Sequence, residues 1–170
     1  LTAGLSALRC IEYMLAHSPG HSQVMSILDF ASGYGRVLRF LRARFPVADI
    51  TVSDIDPAAV DFCRRAFSVN SVISSLDFSG ISTADKFDLI WCGSLFTHID
   101  ENGAARLLRS FYEHLSPGGV CIFTTHGNRA LDWMHTFGLT EMSQQEVISQ
   151  LRQNGYGYAD YPGRQGYGVS

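Results

Sequence analysis

The sequence predicts an α/β fold in which helices cover both faces of a mostly parallel sheet. Two observations support this prediction. Short apolar runs of strand length alternate with amphipathic helical patterns, and this alternation is typical of parallel strands joined by right-handed crossovers. The chain has 170 residues, of which 46% are hydrophobic; this is enough for one domain with a core and excludes a disordered chain.

Four elements are predicted before residue 56. Apolar residues at helical spacing indicate a first amphipathic helix, which ends before the breaker sequence Ser18-Pro19-Gly20. The apolar run 24–30 has strand length, and Ser32-Gly33-Tyr34-Gly35 then opens a second helix that closes at Pro46. Residues 49–55 are the second predicted strand.

The alternation continues through the middle of the chain. Asp56 and Pro57 predict a helix start, because Asp accepts hydrogen bonds from free amides and Pro suits the first helical position. A weak strand over residues 71–76 and a stronger one over residues 87–92 follow. Asp100 is the expected N-cap of the next helix.

One further strand and one further helix are predicted in the last third. The sequence Ser116-Pro117-Gly118-Gly119 ends the preceding helix, and residues 120–125 form the fifth strand. A helix over residues 144–154 follows, with Ser143 and Glu146 as its capping box.

Charge, cysteines and hydropathy restrict the class of protein. A net charge of −3, from 13 basic and 16 acidic residues, argues against a strongly cationic nucleic-acid binder. The four cysteines are far apart, as expected of reduced thiols in a cytoplasmic protein. We find no apolar stretch of membrane-spanning length and no basic leader. Because the chain starts at Leu1, we expect it to be a piece of a longer protein that carries other domains.

Candidate ligand-binding residues follow the first two strands. In a doubly wound sheet, ligands bind beyond the carboxyl ends of the strands, where the strand order reverses. Gly33 and Gly35 allow a tight turn and close approach of a ligand to the main chain. Asp54 lies 19 residues after Gly35, a spacing that suits hydrogen bonds to adenosine ribose hydroxyls; capping of the next helix is the alternative, although Asp56 fits that role better.

The glycine loop also indicates which adenosine ligand binds. A dinucleotide fingerprint has a third glycine where this chain has Leu38. Asp29, at the end of the first strand, can meet an ammonium group. These features favour adenosine linked to an amino acid over a dinucleotide.

Four segments, ILDFASGYGR, ITVSDIDP, FDLIWCGSLFTHID and LSPGGVCIFTTH, resemble the class I S-adenosylmethionine-dependent methyltransferases over residues 24–126. The resemblance implies a Rossmann-like three-layer sandwich with strand order 3-2-1-4-5, and S-adenosyl-L-methionine as methyl donor with S-adenosyl-L-homocysteine as product. It implies further strands 6 and 7 at the far edge, for which the sequence shows no convincing match before Ser170.

The resemblance also implies roles for individual residues. Around the methionine part of the donor it places Asp29, Gly33 and Gly35, and the intervening Ala31 and Ser32 would also bind the cofactor. Asp54 would hold the ribose and Ile55 would flank the adenine, with Asp77 and Phe78 near the adenine amine and ring. The residues near the sulfonium would be Cys92, Gly93 and Ser94.

The acceptor is predicted from what the fourth-strand junction lacks. Cys92-Gly93-Ser94-Leu95 contains neither the N-P-P-Y type motif of amino-methylating nucleic-acid enzymes nor the Pro-Cys nucleophile of cytosine-C5 enzymes. Together with the negative charge, this argues against DNA or RNA. The overall pattern resembles enzymes that methylate sugars or other metabolites, so we expect a small-molecule or glycan-precursor acceptor with an oxygen or nitrogen nucleophile.

Two histidines follow predicted strands and are candidate general bases. His98 comes after the fourth strand and His126 after the fifth, and histidine exchanges protons near neutral pH. A polar contact at a helix start is the competing role for His98, and a bystander role competes for His126. The remaining histidines have no metal-like spacing, so no metal site is predicted.

We expect one methyltransferase-like domain in three parts: a cofactor-binding core over residues 1–126, a helical cap or insertion over 127–154, and a Gly/Tyr-rich tail over 155–170. The cap would cover the acceptor or only pack its helices, through Arg129, Trp133, Met134 and Phe137. The tail lacks apolar periodicity, which indicates a mobile loop, with a substrate-facing flap as the alternative.

Two other functions stay open on the sequence. One is a non-catalytic cofactor-binding or scaffold domain of a multidomain protein. The other is a nicotinamide-dependent oxidoreductase, which Leu38 and the fourth-strand junction disfavour.

Overall fold

The structure is a computed structural model that describes residues 2–18, 23–75, 77, 81 and 83–170. Its main sheet has five parallel strands in the order β3-β2-β1-β4-β5, which confirms the expected α/β class and strand order. The strands are β1 (Ser26–Phe30), β2 (Asp49–Asp54), β3 (Asn70–Ile73), β4 (Phe87–Cys92) and β5 (Leu115–Phe123).

Five α-helices and two 3₁₀ helices connect the strands in the described part of the chain. The α-helices are α1 (Thr2–His17), α2 (Leu38–Arg44), α3 (Pro57–Phe67), α4 (Glu101–His114) and α5 (Glu141–Asn154). The 3₁₀ helices are Leu95–Thr97 and Asn128–Thr136. The expected caps of α3 and α4 are confirmed, because Asp56 accepts from the Ala58 amide at 2.9 Å and Asp100 accepts from the Gly103 amide at 2.7 Å.

The register of β1 positions the candidate ligand-binding residues. Phe30, the last residue of β1, pairs with Ser53 on β2 and with Cys92 on β4. The three central strands therefore end at the same level. Strand order reverses between β1 and β4, so the junctions after β1, β2 and β4 lie at the switch point where this fold class binds ligands.

The chain divides into two compact units. The first comprises Leu1–Gly93 and Arg106–Phe123 and contains the whole five-stranded sheet. Its core is formed by side chains with no exposed surface from the central strands and the first two helices, among them Ile27, Leu89, Ile11 and Leu41. Burial of these apolar side chains is the main favourable contribution to folding of this unit.

The second unit comprises Ser94–Ala105 and Thr124–Ser170. It contains both 3₁₀ helices, α5 and an antiparallel pair of strands, β6 (Ala159–Tyr161) and β7 (Arg164–Val169). A separate apolar cluster forms its core, built from Met134, Leu139, Val147 and Val169.

Several sequence-based boundaries were wrong. The tail is a β-hairpin rather than a mobile loop, and its strands β6 and β7 form a two-stranded sheet of their own. Helix α2 begins at Leu38, since residues 33–37 form turns. Strand β5 already begins at Leu115, although the sequence Ser116-Pro117-Gly118-Gly119 indicated a loop.

The cap of α5 also differs from the expectation. The Thr140 side chain accepts from the Ser143 amide at 3.2 Å, so the helix starts at Glu141, one turn before the predicted capping box. Its end at Gly155 follows the usual rule, because Gly155 has a φ of 77°. No helix in the part of the chain that the structure describes combines the length and the apolarity needed to cross a bilayer.

Candidate functional site

The glycine loop after β1 combines a strained residue with two glycines of different roles. Ala31 has a φ of 58°, a left-handed conformation that is costly for a non-glycine residue and is often found at functional sites. A Cβ on Gly35 would lie 3.0 Å from the Phe67 ring and 3.2 Å from Cys63 Sγ, so Gly35 permits close packing of the loop on α3. A Cβ on Gly33 would meet nothing within 4 Å. The side of Gly33 on which a side chain would project is therefore open, which leaves room for a ligand to approach the loop.

Asp54 joins the second junction to this loop. Its Oδ2 accepts from the Gly33 amide at 2.7 Å, and its Oδ1 accepts from the Asp56 amide at 3.0 Å. Each carboxylate oxygen has a second lone pair, so ribose hydroxyls can still donate to it. Sequence reasoning weighed a ligand role and a helix cap for Asp54 and missed its bond to the loop.

Asp29 is a buried carboxyl group at the end of β1. Its side chain is 2% exposed, and Oδ2 has no hydrogen-bond partner among the described residues. Burial, followed by repulsion from Asp54, raises the pKa of Asp29 to about 7. A buried carboxyl oxygen with an unused lone pair favours a cationic partner. The methionine ammonium of S-adenosylmethionine fits this requirement.

Cys63 is a loop-holding residue that sequence reasoning missed. Its Sγ donates to the Gly33 carbonyl at 3.3 Å from the buried face of α3. Burial raises the pKa of the Cys63 thiol, which therefore keeps the proton that it donates. The helical spacing of Cys63 indicated only a buried side chain, since a hydrogen bond over thirty residues depends on tertiary packing.

The other expected cofactor residues of the first unit occupy varied positions. The buried Ser32 donates its amide to the Ser53 carbonyl at 3.1 Å, and Ile55 is 49% exposed beside Asp54, as a residue that covers a flat ring would be. Asp77 is exposed and accepts a hydrogen bond from the Ser75 hydroxyl. Cys92 is buried and Gly93 is half-buried. Phe78 lies outside the described residues.

Ser94 belongs to the second unit and is again strained. Its φ is 66°, and its amide donates to Thr124 Oγ1 at 2.8 Å. This hydrogen bond connects the two chain segments of the second unit at their first residues, Ser94 and Thr124. Left-handed residues thus follow two central strands, Ala31 immediately after β1 and Ser94 two residues after the end of β4.

The second unit encloses a cavity of about 270 Å³. Most of its wall is apolar, and Met134 and Phe137 of the expected cap line it. Trp133 of the same segment is 58% exposed, and the side chain of Arg129 lies outside the described part. Polar groups of Thr125, His126 and Tyr156 also line the cavity.

His126 lies in the cavity wall with a defined tautomer. Its Nδ1 is 2.7 Å from the main-chain oxygen of Ser170, and its ring stacks on Phe137 at 5.0 Å between centroids. A main-chain oxygen only accepts hydrogen bonds, so Nδ1 carries a proton and Nε2 of the neutral ring is a proton acceptor. This arrangement suits a general base.

His98 instead holds the β6–β7 hairpin. Its Nδ1 donates to the Gly168 carbonyl at 3.0 Å, and its ring stacks on Tyr167 at 4.9 Å. The main chain repeats the connection, since the Gly168 amide donates to the His98 carbonyl at 3.0 Å and the Ser170 amide to the Thr97 carbonyl at 3.2 Å. These bonds join the two segments of the second unit.

Comparison with protein families identifies most of the first unit. The profile of the family described as "Methyltransferase domain" matches residues 27–119, more than half of the chain. The matched region begins in β1 and ends in β5, so it contains the junctions that carry Asp29, Gly33 and Asp54.

Individual relatives agree with this match. The malonyl-acyl-carrier-protein O-methyltransferase of Acetivibrio thermocellus is 28% identical over 65% of this chain and 39% of its own length. The plantazolicin methyltransferase BpumL, solved with S-adenosylhomocysteine, shares the fold with a TM-score of 0.63 at 18% identity, over 87% of this chain and 56% of that one. The sugar N-methyltransferase KedS8 from Streptoalloteichus sp. has a TM-score of 0.56 at 24% identity, over 68% and 45%. The chain spans about two fifths of the length of the curated relatives that it matches.

Proposed function

The chain belongs to the methyltransferase domain family, in its class I S-adenosylmethionine-dependent form, and from that premise we propose that it transfers a methyl group to an oxygen or nitrogen of a small-molecule or glycan-precursor acceptor. The observation that carries the proposal is the buried Asp29 carboxyl, with one unpartnered oxygen, beside a glycine loop held by Asp54. S-adenosylmethionine carries an ammonium group and a ribose, and Asp29 and Asp54 provide one carboxyl group for each.

The residues of the first unit bind and orient the donor. Asp29 pairs with the ammonium, Asp54 accepts from the ribose hydroxyls, and the open space beside Gly33 lets the donor approach the loop. Bound S-adenosylmethionine supplies a methyl group activated by its sulfonium. The protein therefore positions the reactants and excludes water instead of providing a covalent nucleophile.

His126 is the proposed general base and His98 a positioning residue. The acceptor oxygen or nitrogen forms a bond to the methyl carbon while the carbon–sulfur bond breaks and its electron pair stays on sulfur. The proton that the acceptor loses goes to Nε2 of His126, which the Ser170 oxygen leaves free for this purpose by holding the Nδ1 proton. His98 acts through the hairpin that it anchors.

The proposed acceptor class is broad because the relatives are named for different acceptors. One of them is named for methylation of a malonyl group on a carrier protein and another for N-methylation of a sugar. The net charge of −3 supports an acceptor other than nucleic acid. We also propose a cytoplasmic location, supported by the wide spacing of the four cysteines along the chain, which is typical of proteins without disulfides.

Calorimetric titration of this chain with S-adenosylhomocysteine tests the proposal, with NAD as a parallel ligand. We expect S-adenosylhomocysteine to bind and NAD not to bind. Asp54→Ala should weaken binding at least ~10-fold, because it removes a charged hydrogen-bond acceptor. Asp54→Asn is the matched control, since it keeps one oxygen for the Gly33 amide.

Turnover separates an enzyme from a binding module. Methyl transfer from labelled S-adenosylmethionine is measured against a panel of phenols, amines, sugars and carboxylic acids. Transfer that falls in His126→Ala supports the base role. Donor binding without transfer to any member of the panel would identify a non-catalytic cofactor-binding domain.

A further inference from the structure

We propose that the cavity of the second unit binds the acceptor, and that this acceptor is a compact aromatic compound with one hydroxyl group, a monocyclic phenol. The proposal rests on the proposed function and narrows its acceptor class. Every described residue that lines the cavity belongs to the second unit, so the cavity is a property of that unit alone.

The size of the cavity and its apolar wall favour a small apolar ring as the ligand. Its volume of about 270 Å³ is just below the range for ligand pockets, ~300–1,000 Å³, so only a small ligand fits. Phe96, Phe137 and Tyr156 give the wall an aromatic character, and aliphatic side chains such as Leu131 and Val147 fill the rest. Aromatic rings pack favourably against such walls in offset or edge-to-face arrangements.

The polar groups in the wall favour a ligand that donates a hydrogen bond. His126 gives its Nδ1 proton to the Ser170 main-chain oxygen, and the Tyr156 hydroxyl donates to the Ile99 carbonyl at 2.6 Å. The Ser170 hydroxyl donates to the Phe96 carbonyl at 2.7 Å. Burial raises the pKa of the Tyr156 phenol, so Tyr156 keeps its proton. These three groups have already donated their protons, and each retains lone pairs that accept. The hydroxyl of Thr125, in the same wall, can either donate or accept.

One aromatic hydroxyl satisfies this wall better than the alternatives. A sugar carries several hydroxyl groups that both donate and accept, and an apolar wall would leave most of them unpaired. A hydrocarbon would leave the acceptors of the wall without a donor. A phenol buries its ring and donates one proton, and Nε2 of His126 is the acceptor that can also take that proton.

The reaction on such an acceptor balances without a further reagent. The phenol oxygen bonds to the methyl carbon, the carbon–sulfur bond breaks, and its electron pair remains on sulfur. The phenol proton moves to His126 and then to solvent. One phenol and one S-adenosylmethionine thus give one aryl methyl ether, one S-adenosylhomocysteine and one proton.

Ligand-observed NMR titrations of this chain, saturated with S-adenosylhomocysteine, test the inference. The probes are 4-methylphenol, toluene and methyl glucoside. We expect 4-methylphenol to bind about tenfold more tightly than toluene, the value of one hydrogen bond, and methyl glucoside not to bind. Equal affinity for toluene, preference for the glucoside, or no binding of 4-methylphenol would each overturn the inference.

Two variants test the residues on which the argument rests, and a third is a matched control. His126→Phe keeps a ring to stack on Phe137 but removes Nε2, so it should abolish the preference for 4-methylphenol over toluene. Ala130→Leu fills the cavity from the 3₁₀ helix Asn128–Thr136 and should abolish 4-methylphenol binding. His135→Leu introduces the same side chain at an exposed position of that helix and should leave binding intact.

Measuring donor binding distinguishes a failure of this inference from a failure of the proposed function. S-adenosylhomocysteine affinity is measured for each variant, because the proposed donor residues belong to the first unit. Loss of phenol binding with unchanged donor affinity supports the inference. Phenol binding that survives in Ala130→Leu contradicts it while the proposed function stands. Failure of the unmodified chain to bind S-adenosylhomocysteine contradicts the proposed function and the inference with it.

Discussion

At the scale of single residues, Asp29 shows how burial creates a binding site. A carboxyl group that is 2% exposed loses most of its hydration, and the nearby Asp54 disfavours a second negative charge. The protonated form therefore persists to about pH 7. A ligand ammonium reverses this balance by pairing with the ionised form.

The first prediction concerns the pH dependence of donor binding. Below about pH 7, binding must first remove the Asp29 proton, so S-adenosylhomocysteine affinity should rise up to about tenfold per pH unit and level off above pH 7. Calorimetry across this range measures it. Asp29→Asn should bind more weakly and without this slope, and an equal slope in that variant would contradict the role of Asp29.

Stability of the free chain should change in the opposite direction. The pKa of Asp29 is about 7 in the folded chain, while its ordinary value, which applies to the unfolded chain, is 3.8, so the folded state holds more protons between these limits. The free energy of unfolding therefore falls as pH rises from about 4 to about 7. Urea unfolding should show this decline in the native sequence and a smaller one in Asp29→Asn.

The second prediction separates the two glycines of the loop. Gly35→Ala forces a Cβ against Phe67 and Cys63 at a φ of 74°, and should destabilise the fold by roughly 1–3 kcal/mol. Gly33→Ala has open space, so its cost should be limited to about 1 kcal/mol of backbone strain, while donor affinity falls. Urea unfolding and calorimetry on both variants measure this contrast, and equal destabilisation would refute it.

At the scale of elements, the start of α5 shows how one hydroxyl decides a boundary. The Thr140 side chain accepts from the Ser143 amide, and the helix begins at Glu141. The capping box of Ser143 and Glu146 matched the sequence rule equally well, because local patterns do not state which turn is already helical.

The third prediction follows from this cap. Thr140→Ala should lower the free energy of unfolding by about 1 kcal/mol, since it leaves an amide of the first turn without its acceptor. Ser143→Ala is the matched control and should cost less, because the Ser143 hydroxyl contacts Thr140 Oγ1 and caps no amide in the described contacts. Urea unfolding of both variants measures the difference, and a larger loss in Ser143→Ala would restore the original assignment.

At the scale of the whole molecule, the two units differ in the size and burial of their apolar cores. The first unit buries side chains such as Ile27, Leu38 and Leu89 completely. The second unit relies on a smaller cluster in which Leu139 and Met134 keep 8% and 4% exposure. Fewer buried apolar contacts lower the free energy of local opening.

The fourth prediction is a difference in hydrogen exchange. Amides of β1 and β4 should exchange more slowly than those of α5 and the β6–β7 hairpin, since opening of the second unit exposes less apolar surface. Mass-spectrometric hydrogen exchange on the native chain measures both sets. Equal protection across the two units would mean that they open only as one cooperative body.

The resemblance to the methyltransferase family implied the strand order. Local chemistry in the sequence determined the fold class, the caps at Asp56 and Asp100, and the positions of Asp29, Gly33 and Asp54 after their strands. Those features depend on short-range rules: apolar periodicity, capping and glycine conformation. Tertiary structure alone decided the Cys63 bond to the glycine loop, the β6–β7 hairpin held by His98, and the tautomer of His126. Each of these depends on hydrogen bonds between residues that lie 30 to 70 positions apart, and no local pattern specifies which distant main-chain oxygen will meet a given side chain.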